Sequence, residues 1–338
     1  MSLRILVPGG SGFIGSHVTR ALLAVGHHVV ALGRGERRAP AGAEFRAADR
    51  DDATAMARVL RGERFDATLD FSAYDRGAIE SLFGVDGYVP GRYVFASTGQ
   101  VCLVGTDRSM PFRERAGDAP LIPEPPAGTR DHGQWSYGTG KRRAEAAVAE
   151  VRQRRGLETL VLRLPVVWGA GDPSLRTWAH LERMLDGGPI LLPEGGEQPV
   201  RFLWVEDIAR TLLGWLARGP LPAPVYHIAQ PDIVPLREVL ERMASAAGLR
   251  TEFVAVDWEA LAAAGLDRDC ATYSGHWVSV LDPGLAARDW GFTATPLDGY
   301  LGEVVRAHLD RRPATSHPGY ARRAIELELA RTLKSRHC

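Results

Sequence analysis

Short apolar runs alternate with segments of helical periodicity through the first half of the chain. The apolar runs predict strands at 3–7, 28–32, 43–47, 67–71, 92–97 and 159–164. The segments between them predict helices at 12–25, 51–61, 76–84 and 137–155. Strands that alternate with helices in this way are typical of βαβ units and a parallel sheet. We therefore predict an α/β fold built on a doubly wound parallel sheet.

The first predicted strand is followed by three glycines at G-x-x-G-x-x-G spacing, Gly9, Gly12 and Gly15. Helical periodicity begins at Phe13 and Ile14, so the glycines lie in a strand–turn–helix. Glycines at this spacing allow a tight turn, the approach of backbone N–H groups to phosphates, and close packing of helix on strand. The helix N-terminus then faces the negative charge. This pattern predicts a Rossmann dinucleotide site, although a βα turn without a ligand has the same glycines.

The pattern changes after Pro165, where isolated strands at 200–203 and 225–228 lie among predicted helices. We therefore predict a Rossmann domain over 1–165 and a smaller C-terminal α/β substrate lobe over 166–338, interleaved with the first. The interval 103–136 is rich in proline, glycine and charge, and it is too long for a simple connection. We expect it to cover the substrate. The amphipathic stretch 321–335 is read as a packing or oligomer helix, with a membrane-surface helix as the alternative.

Composition and charge argue against several classes of function. Lys+Arg and Asp+Glu are equal in number, at 41 each, so no global field attracts nucleic acid or an anionic membrane. No apolar run approaches the ~20 residues that span a bilayer. The first strand begins at once, so we expect no signal peptide and a cytoplasmic protein. Cys102, Cys270 and Cys338 are scattered without metal-ligand spacing, so no metal site is expected.

Two titratable side chains lie at the start of the helix predicted at 137–155. Tyr137 and Lys141 have i, i+4 spacing, which places phenol and ammonium on one face. A nearby cation favours the phenolate, so the tyrosine becomes a proton carrier near neutral pH. Ser97 and Thr98 end the fifth predicted strand, where side chains face the ligand crevice of a doubly wound sheet. The alternative interpretation is a surface tyrosine, a solvated lysine and an ordinary strand end.

Together these features resemble the extended short-chain dehydrogenase/reductase family, also called the NAD-dependent epimerase/dehydratase family. Further matches are Asp49 after the third strand, the segment 162–169 and the segment 200–207. The resemblance implies that Tyr137 is the general acid/base and that Lys141 lowers its pKa and binds ribose. Thr98, with Ser97 as second choice, would orient the substrate oxygen.

The resemblance also implies a set of cofactor contacts. Asp49 would bind the adenine amine, the main chain of Phe71 and Ser72 would pass along the cofactor, and Pro165 would border the nicotinamide. The end of the second strand carries Gly33 and Arg34 in place of the carboxylate that usually accepts from the ribose 2′-OH of NAD. A guanidinium there favours the 2′-phosphate of NADP, and NAD is the second choice.

Departures from the family pattern limit the reactions that we expect the chain to catalyse. Gly99 and Gln100 stand where sugar-nucleotide dehydratases have an Asp-Glu pair, which disfavours dehydration. Arg201 matches a family arginine that grips a diphosphate, but its usual second arginine has no clear counterpart. His132 and Trp135 precede Tyr137 and are candidate substrate contacts. We expect hydride transfer at a secondary alcohol or ketone of a sugar-like or nucleoside-like small molecule, by a reductase or an epimerase.

A non-enzymatic interpretation remains. A dinucleotide-binding sensor or an RNA-associated scaffold would keep the fold without turnover. The complete Tyr137, Lys141 and Thr98 set argues against a binding module, because such a module needs no proton carrier. The family resemblance implies a homodimer through the helices at 76–84 and 137–155.

Overall fold

The computed structural model describes residues 2–335, which form two compact units. The first unit comprises the chain up to Val167 together with 203–229 and 281–294; the second comprises 168–202, 230–280 and the chain from Thr295. The chain thus returns twice to the first unit after the position at which the pattern changes. The roles predicted for residues 1–165 and 166–338 stay predictions.

The strands follow the apolar runs closely. They are β1 (Arg4–Pro8), β2 (His28–Gly33), β3 (Glu44–Ala47), β4 (Ala67–Asp70), β5 (Arg92–Thr98), β6 (Thr159–Leu164), β7 (Val166–Trp168), β8 (Ile190–Pro193), β9 (Pro199–Val200), β10 (Phe202–Trp204), β11 (Val225–His227), β12 (Val234–Pro235) and β13 (Phe253–Val256).

The helices extend over the following ranges: α1 (Phe13–Ala24), α2 (Ala53–Leu60), α3 (Arg76–Phe83), α4 (Gln100–Leu103), α5 (Arg130–Arg155), α6 (Arg176–Leu185), α7 (Val205–Leu216), α8 (Leu236–Ala246), α9 (Trp258–Ala263), α10 (Gly284–Trp290), α11 (Leu297–Asp310) and α12 (Arg323–Ser335). Between residues 2 and 335, none of them is long and apolar enough to cross a membrane.

A seven-stranded parallel sheet forms the centre of the first unit. Its strand order is β11-β6-β5-β4-β1-β2-β3, so the chain moves outward in both directions from β1 and β4. Consecutive residues Ile5 and Leu6 are both fully buried, which shows that β1 is covered on both faces. Ile5 packs with α1 and α7, whereas Leu6 packs with α2, α3 and α5. The predicted Rossmann fold is confirmed.

Partly buried hydrogen bonds from α5 hold the chain at Val101, just before the interval 103–136, and at Ala119 within it. The Arg142 guanidinium donates from Nε to the carbonyl of Val101 at 2.7 Å and from Nη1 to that of Ala119 at 2.6 Å. Its final part is helical, because the Thr129 side chain accepts from the N–H of His132 at 3.1 Å and caps α5. The helix therefore begins at Arg130, seven residues before the predicted start.

The second unit is a smaller α/β assembly. Its strands pair as β8 with β13 in parallel and β9 with β12 antiparallel. The predicted C-terminal helix is α12, which packs through Ala330 into a core with Leu191 and Val254. Arg183 of α6 and Glu326 of α12 form a two-pronged ion pair at 2.9 and 2.6 Å with almost no exposed surface. The C-terminal helix is thus an integral part of this unit.

Candidate active site

The glycine-rich turn has the geometry that a pyrophosphate requires. Gly9 has a φ of +80°, the left-handed region that favours glycine. A Cβ atom on Gly15 would lie 2.1 Å from the Gly9 carbonyl oxygen, so only glycine lets α1 approach β1 this closely. The first turn of α1 carries no acidic side chain, and Gly12 at its N-cap makes no side-chain hydrogen bond. The backbone N–H groups there suit an anionic ligand, and the loop fits a dinucleotide.

The loops after β1 and β4 meet beside this turn. A Cβ atom on Gly9 would lie 3.2 Å from the Cβ of Ser72 and 3.3 Å from the Cβ of Phe71. Because β1 and β4 are where the strand order reverses, this is the switch-point crevice in which doubly wound sheets bind ligands. The predicted main-chain contacts at Phe71 and Ser72 therefore lie at the expected edge of the sheet.

Lys141 is buried beneath the carboxyl ends of β4 and β5. Its Nζ donates to the carbonyl of Ala73 at 2.7 Å and to that of Ala96 at 2.8 Å, and the residue is 4% exposed. Burial lowers the pKa of the ammonium to about 8, although the carboxylates of Asp70 and Glu145 partly oppose the effect. The ammonium lies 6.0 Å from the centre of the Tyr137 ring.

The helix that carries Tyr137 contacts the chain on both sides of Thr98, at Ala96 in β5 and at Gln100 in α4. Lys141 reaches the carbonyl of Ala96, and a Cβ atom on Gly138 would lie 2.8 Å from the carbonyl oxygen of Gln100. Thr98 lies between these two contacts and is half-buried, with its Oγ1 accepting from the N–H of Gln100 at 3.3 Å. The structure thus brings Tyr137, Lys141 and Thr98 to one end of the sheet.

Ser97 faces a different environment. Its hydroxyl is buried and donates to Glu145 Oε1 at 2.5 Å. Arg163 holds the same carboxylate at 3.0 and 2.7 Å and also donates to the carbonyl of Glu114 at 2.5 Å. The hydroxyl of Ser97 is thus occupied within this ion-pair network, whereas Thr98 beside it is half-buried.

A second buried ion pair lies at the carboxyl end of β4, beside the loop that is predicted to contact the cofactor. No pattern in the sequence predicted this pair. Asp70 ends β4, and Arg50 binds its two carboxylate oxygens at 2.9 and 3.0 Å. Tyr93 donates to the same carboxylate at 2.9 Å, and Arg50 also donates to Ser72 Oγ at 2.7 Å. Burial alone would raise the pKa of Asp70, but the guanidinium outweighs it and holds the pKa below its ordinary value. This network fixes the loop that begins at Phe71.

The residues predicted at the adenine end of the cofactor are exposed. Asp49 accepts from the N–H of Asp51 at 3.1 Å through one carboxylate oxygen. Arg34 is 63% exposed and pairs with Glu36 at 3.2 Å. A Cβ atom on Gly33 would lie 3.2 Å from Ser11 Oγ, so the end of β2 abuts the glycine-rich turn.

The remaining predicted contacts differ in their local surroundings. His132 binds Glu124 at 3.0 Å, and the indole of Trp135 donates to the carbonyl of Ile122 at 3.3 Å. Pro165 is buried just after β6. In the second unit, Arg201 is 7% exposed and donates at 2.7 Å to each of two carbonyls, those of residues 230 and 231.

Within residues 2–335, no three His, Cys, Asp or Glu side chains are arranged to hold a metal ion. Cys102 and Cys270 are buried thiols, and burial raises the pKa of each to about 12. Cys338 lies outside the described residues.

The sequence model of the NAD dependent epimerase/dehydratase family matches residues 5–84 and 82–229. The chain belongs to this family. It is 29% identical to 2′-dehydrokanamycin reductase of Streptomyces kanamyceticus over 297 residues, which cover 85% of this chain and 79% of the reductase. It is 33% identical to UDP-glucose 4-epimerase of Azospirillum brasilense over 202 residues, or 52% of each chain. The protein is therefore an enzyme of the reductase and epimerase type.

A solved structure supports the same fold. UDP-glucose 4-epimerase of Thermotoga maritima, determined with UDP-glucose, superposes with a TM-score of 0.70. The match covers 91% of this chain and 99% of the epimerase at 21% identity. This likeness shows that the chain shares the fold of that epimerase.

Proposed function

We propose that the protein is an NADP(H)-dependent ketoreductase, which reduces a ketone of a sugar-like or nucleoside-like small molecule to a secondary alcohol. The observation that carries this proposal is the placement of Tyr137 and Lys141 on a helix that contacts the chain on both sides of Thr98, at the end of β5 and the start of α4. A binding module would have no use for a proton donor, a buried cation and a hydroxyl at one end of the sheet.

The dinucleotide would be held along the carboxyl edge of the sheet. Gly9, Gly12 and Gly15, with Phe13 and Ile14 at the start of α1, would hold the pyrophosphate. A second group of contacts would follow the rest of the cofactor: Asp49, Phe71, Ser72 and Pro165. When bound, the nicotinamide supplies a hydride to the carbonyl carbon.

The chain's own residues then complete the reduction. Thr98 Oγ1 orients the carbonyl oxygen by a hydrogen bond, and the Tyr137 hydroxyl gives that oxygen its proton. Lys141 stabilises the phenolate that remains, because its ammonium is held near the ring by two backbone carbonyls. The low exposure of Lys141 strengthens this electrostatic effect, since water screens it weakly.

Three features support NADP over NAD. Gly33 provides no carboxylate for a ribose 2′-OH, and the hydroxyl of Ser11 lies beside it. The surface pair between Arg34 and Glu36 is of the weak kind, so the guanidinium is available to a phosphate. Substituting Arg34→Ser should weaken the binding of NADPH while leaving that of NADH unchanged. Equal affinities of the wild-type protein for both would make NAD the cofactor.

An epimerase is the second candidate, because UDP-glucose 4-epimerases are among the relatives and the same groups serve both reactions. The reductase is favoured because the match to 2′-dehydrokanamycin reductase extends over most of both chains. In addition, Arg201 uses its guanidinium on backbone carbonyls, which leaves it poorly placed to grip a diphosphate.

The test combines cofactor analysis with two substrates. We expect purified protein to consume NADPH with 2′-dehydrokanamycin and to leave UDP-glucose unchanged. Interconversion of UDP-glucose with retained nucleotide would make the protein an epimerase. Nucleotide binding without turnover of either compound would favour the sensor or scaffold. We also propose a cytoplasmic homodimer through α3 and α5, which light scattering tests.

A further inference from the structure

Tyr74 is a large aromatic side chain that the proposed chemistry does not use. It follows Ala73 in the loop after β4 and is 62% exposed. An aromatic ring left in water forgoes the stabilisation that burial would provide, so a ligand that covers the ring gains that stabilisation.

The backbone beneath this ring is fixed on several sides. The N–H of Ala73 donates to Asp70 Oδ1 at 3.2 Å, and its carbonyl accepts from Lys141. A Cβ atom on Gly140 would lie 2.8 Å from the carbonyl oxygen of Tyr74, so α5 presses directly on the loop. On the other side, Asp75 caps α3 by accepting from the N–H of residue 78 at 3.0 Å. The loop therefore presents the ring from a rigid base.

The ring stands next to the proton donor. Its centre is 6.1 Å from that of the Tyr137 ring, with the two planes inclined at 53°. The Lys141 ammonium lies 5.2 Å from the Tyr74 ring centre. A molecule whose carbonyl oxygen reaches Tyr137 would thus pass close to the exposed ring.

We propose that Tyr74 is a substrate-contacting residue that packs against the C–H face of a saturated ring bearing the ketone. This inference rests on the proposed function. A sugar ring has such a face, and an aromatic ring offers it a large, rigid apolar surface at low entropic cost. The hydroxyl of Tyr74 is not required, so phenylalanine should replace it.

The experiment compares ring and open-chain ketones. Wild type, Tyr74→Ala and Tyr74→Phe are assayed with NADPH and 2′-dehydrokanamycin, cyclohexanone and 2-butanone. Each ketone takes a hydride from NADPH and a proton from Tyr137, giving the alcohol and NADP⁺. We expect wild type and Tyr74→Phe to prefer the ring ketones. Tyr74→Ala should lose about tenfold of that preference in kcat/KM, mainly through KM, with unchanged affinity for NADPH.

Each of the other results refutes either the proposed ketoreductase function or the proposed role of Tyr74. If wild type reduces none of the ketones, the proposed ketoreductase function is refuted and the role of Tyr74 with it. If wild type is active and Tyr74→Ala keeps the ring preference, only the role of Tyr74 is refuted. A Tyr74→Ala protein with a changed mass in solution and an unchanged preference would assign the ring to a subunit interface. Loss of activity in Tyr74→Phe would show that the hydroxyl, and not the ring face, is needed.

Discussion

Replacing Lys141 by methionine removes a buried ammonium and keeps an unbranched side chain in its place. The two carbonyls that it binds lose their donor, but that loss does not depend on pH. The buried charge contributes a second part of the difference in unfolding free energy, and this part depends on pH. Burial lowers the pKa of Lys141 from 10.5 to about 8, so the folded protein holds the proton less tightly than the unfolded chain.

The sign and size of the effect follow from these two pKa values. Below about pH 8 both states carry the proton, and the buried charge costs roughly 3 kcal/mol of folding free energy. The cost declines as pH rises from about 8 and disappears above about 10.5. Between pH 7 and 9 the wild-type protein should therefore gain about 1.3 kcal/mol relative to Lys141→Met.

Urea denaturation of both proteins at pH 7, 8 and 9 measures this difference. Lys334, the other lysine of the chain, provides the control, because it is half-exposed and pairs with Glu252 at the surface. The free energy of unfolding of Lys334→Met should follow that of wild type across the same range. Parallel curves for wild type and Lys141→Met would refute the buried charge.

Two further predictions concern the ion pair of the second unit and the two neighbouring hydroxyls. Glu326→Ala should lower the free energy of unfolding by about 3–5 kcal/mol, since Arg183 is left charged and buried. Glu150→Ala, which removes a surface pair with Arg76, should lower it far less; equal losses in urea denaturation would contradict this. Thr98→Val should lower kcat about 10²-fold, and Ser97→Ala should cost about 1 kcal/mol of stability with kcat within a few-fold; steady-state kinetics showing the reverse order would assign the substrate hydrogen bond to Ser97.

The sheet was predictable because its strands are short apolar runs buried on both faces. Predicted and observed bounds for β1, β2 and β5 differ by one residue or less at each end. The start of α5 was not predictable, because Thr129 and the charged residues after it are also typical of a loop. Only the structure shows the hydrogen bond by which Thr129 caps the helix. The strand predicted at 200–203 is divided into β9 and β10 at Arg201. The side chain of Arg201 donates to the carbonyls of residues 230 and 231.

The types of residue in the site were predictable, but their orientation was not. Successive strand residues point to opposite faces, so the choice between Ser97 and Thr98 depends on what each face meets. Only the structure shows that Glu145 takes the hydroxyl of Ser97. Arg50 and Asp70 are 20 residues apart, and no local pattern links them.

In the proposed nicotinamide-dependent reduction, Tyr137 carries the proton to the carbonyl oxygen. The most direct measurement compares NADPH consumption by wild type and Tyr137→Phe with 2′-dehydrokanamycin, after the affinity of each protein for NADPH has been measured. We expect Tyr137→Phe to bind NADPH as wild type does and to lose about 10²–10⁴-fold in kcat. A Tyr137→Phe protein that reduces the ketone at the wild-type rate would rule out Tyr137 as the proton donor.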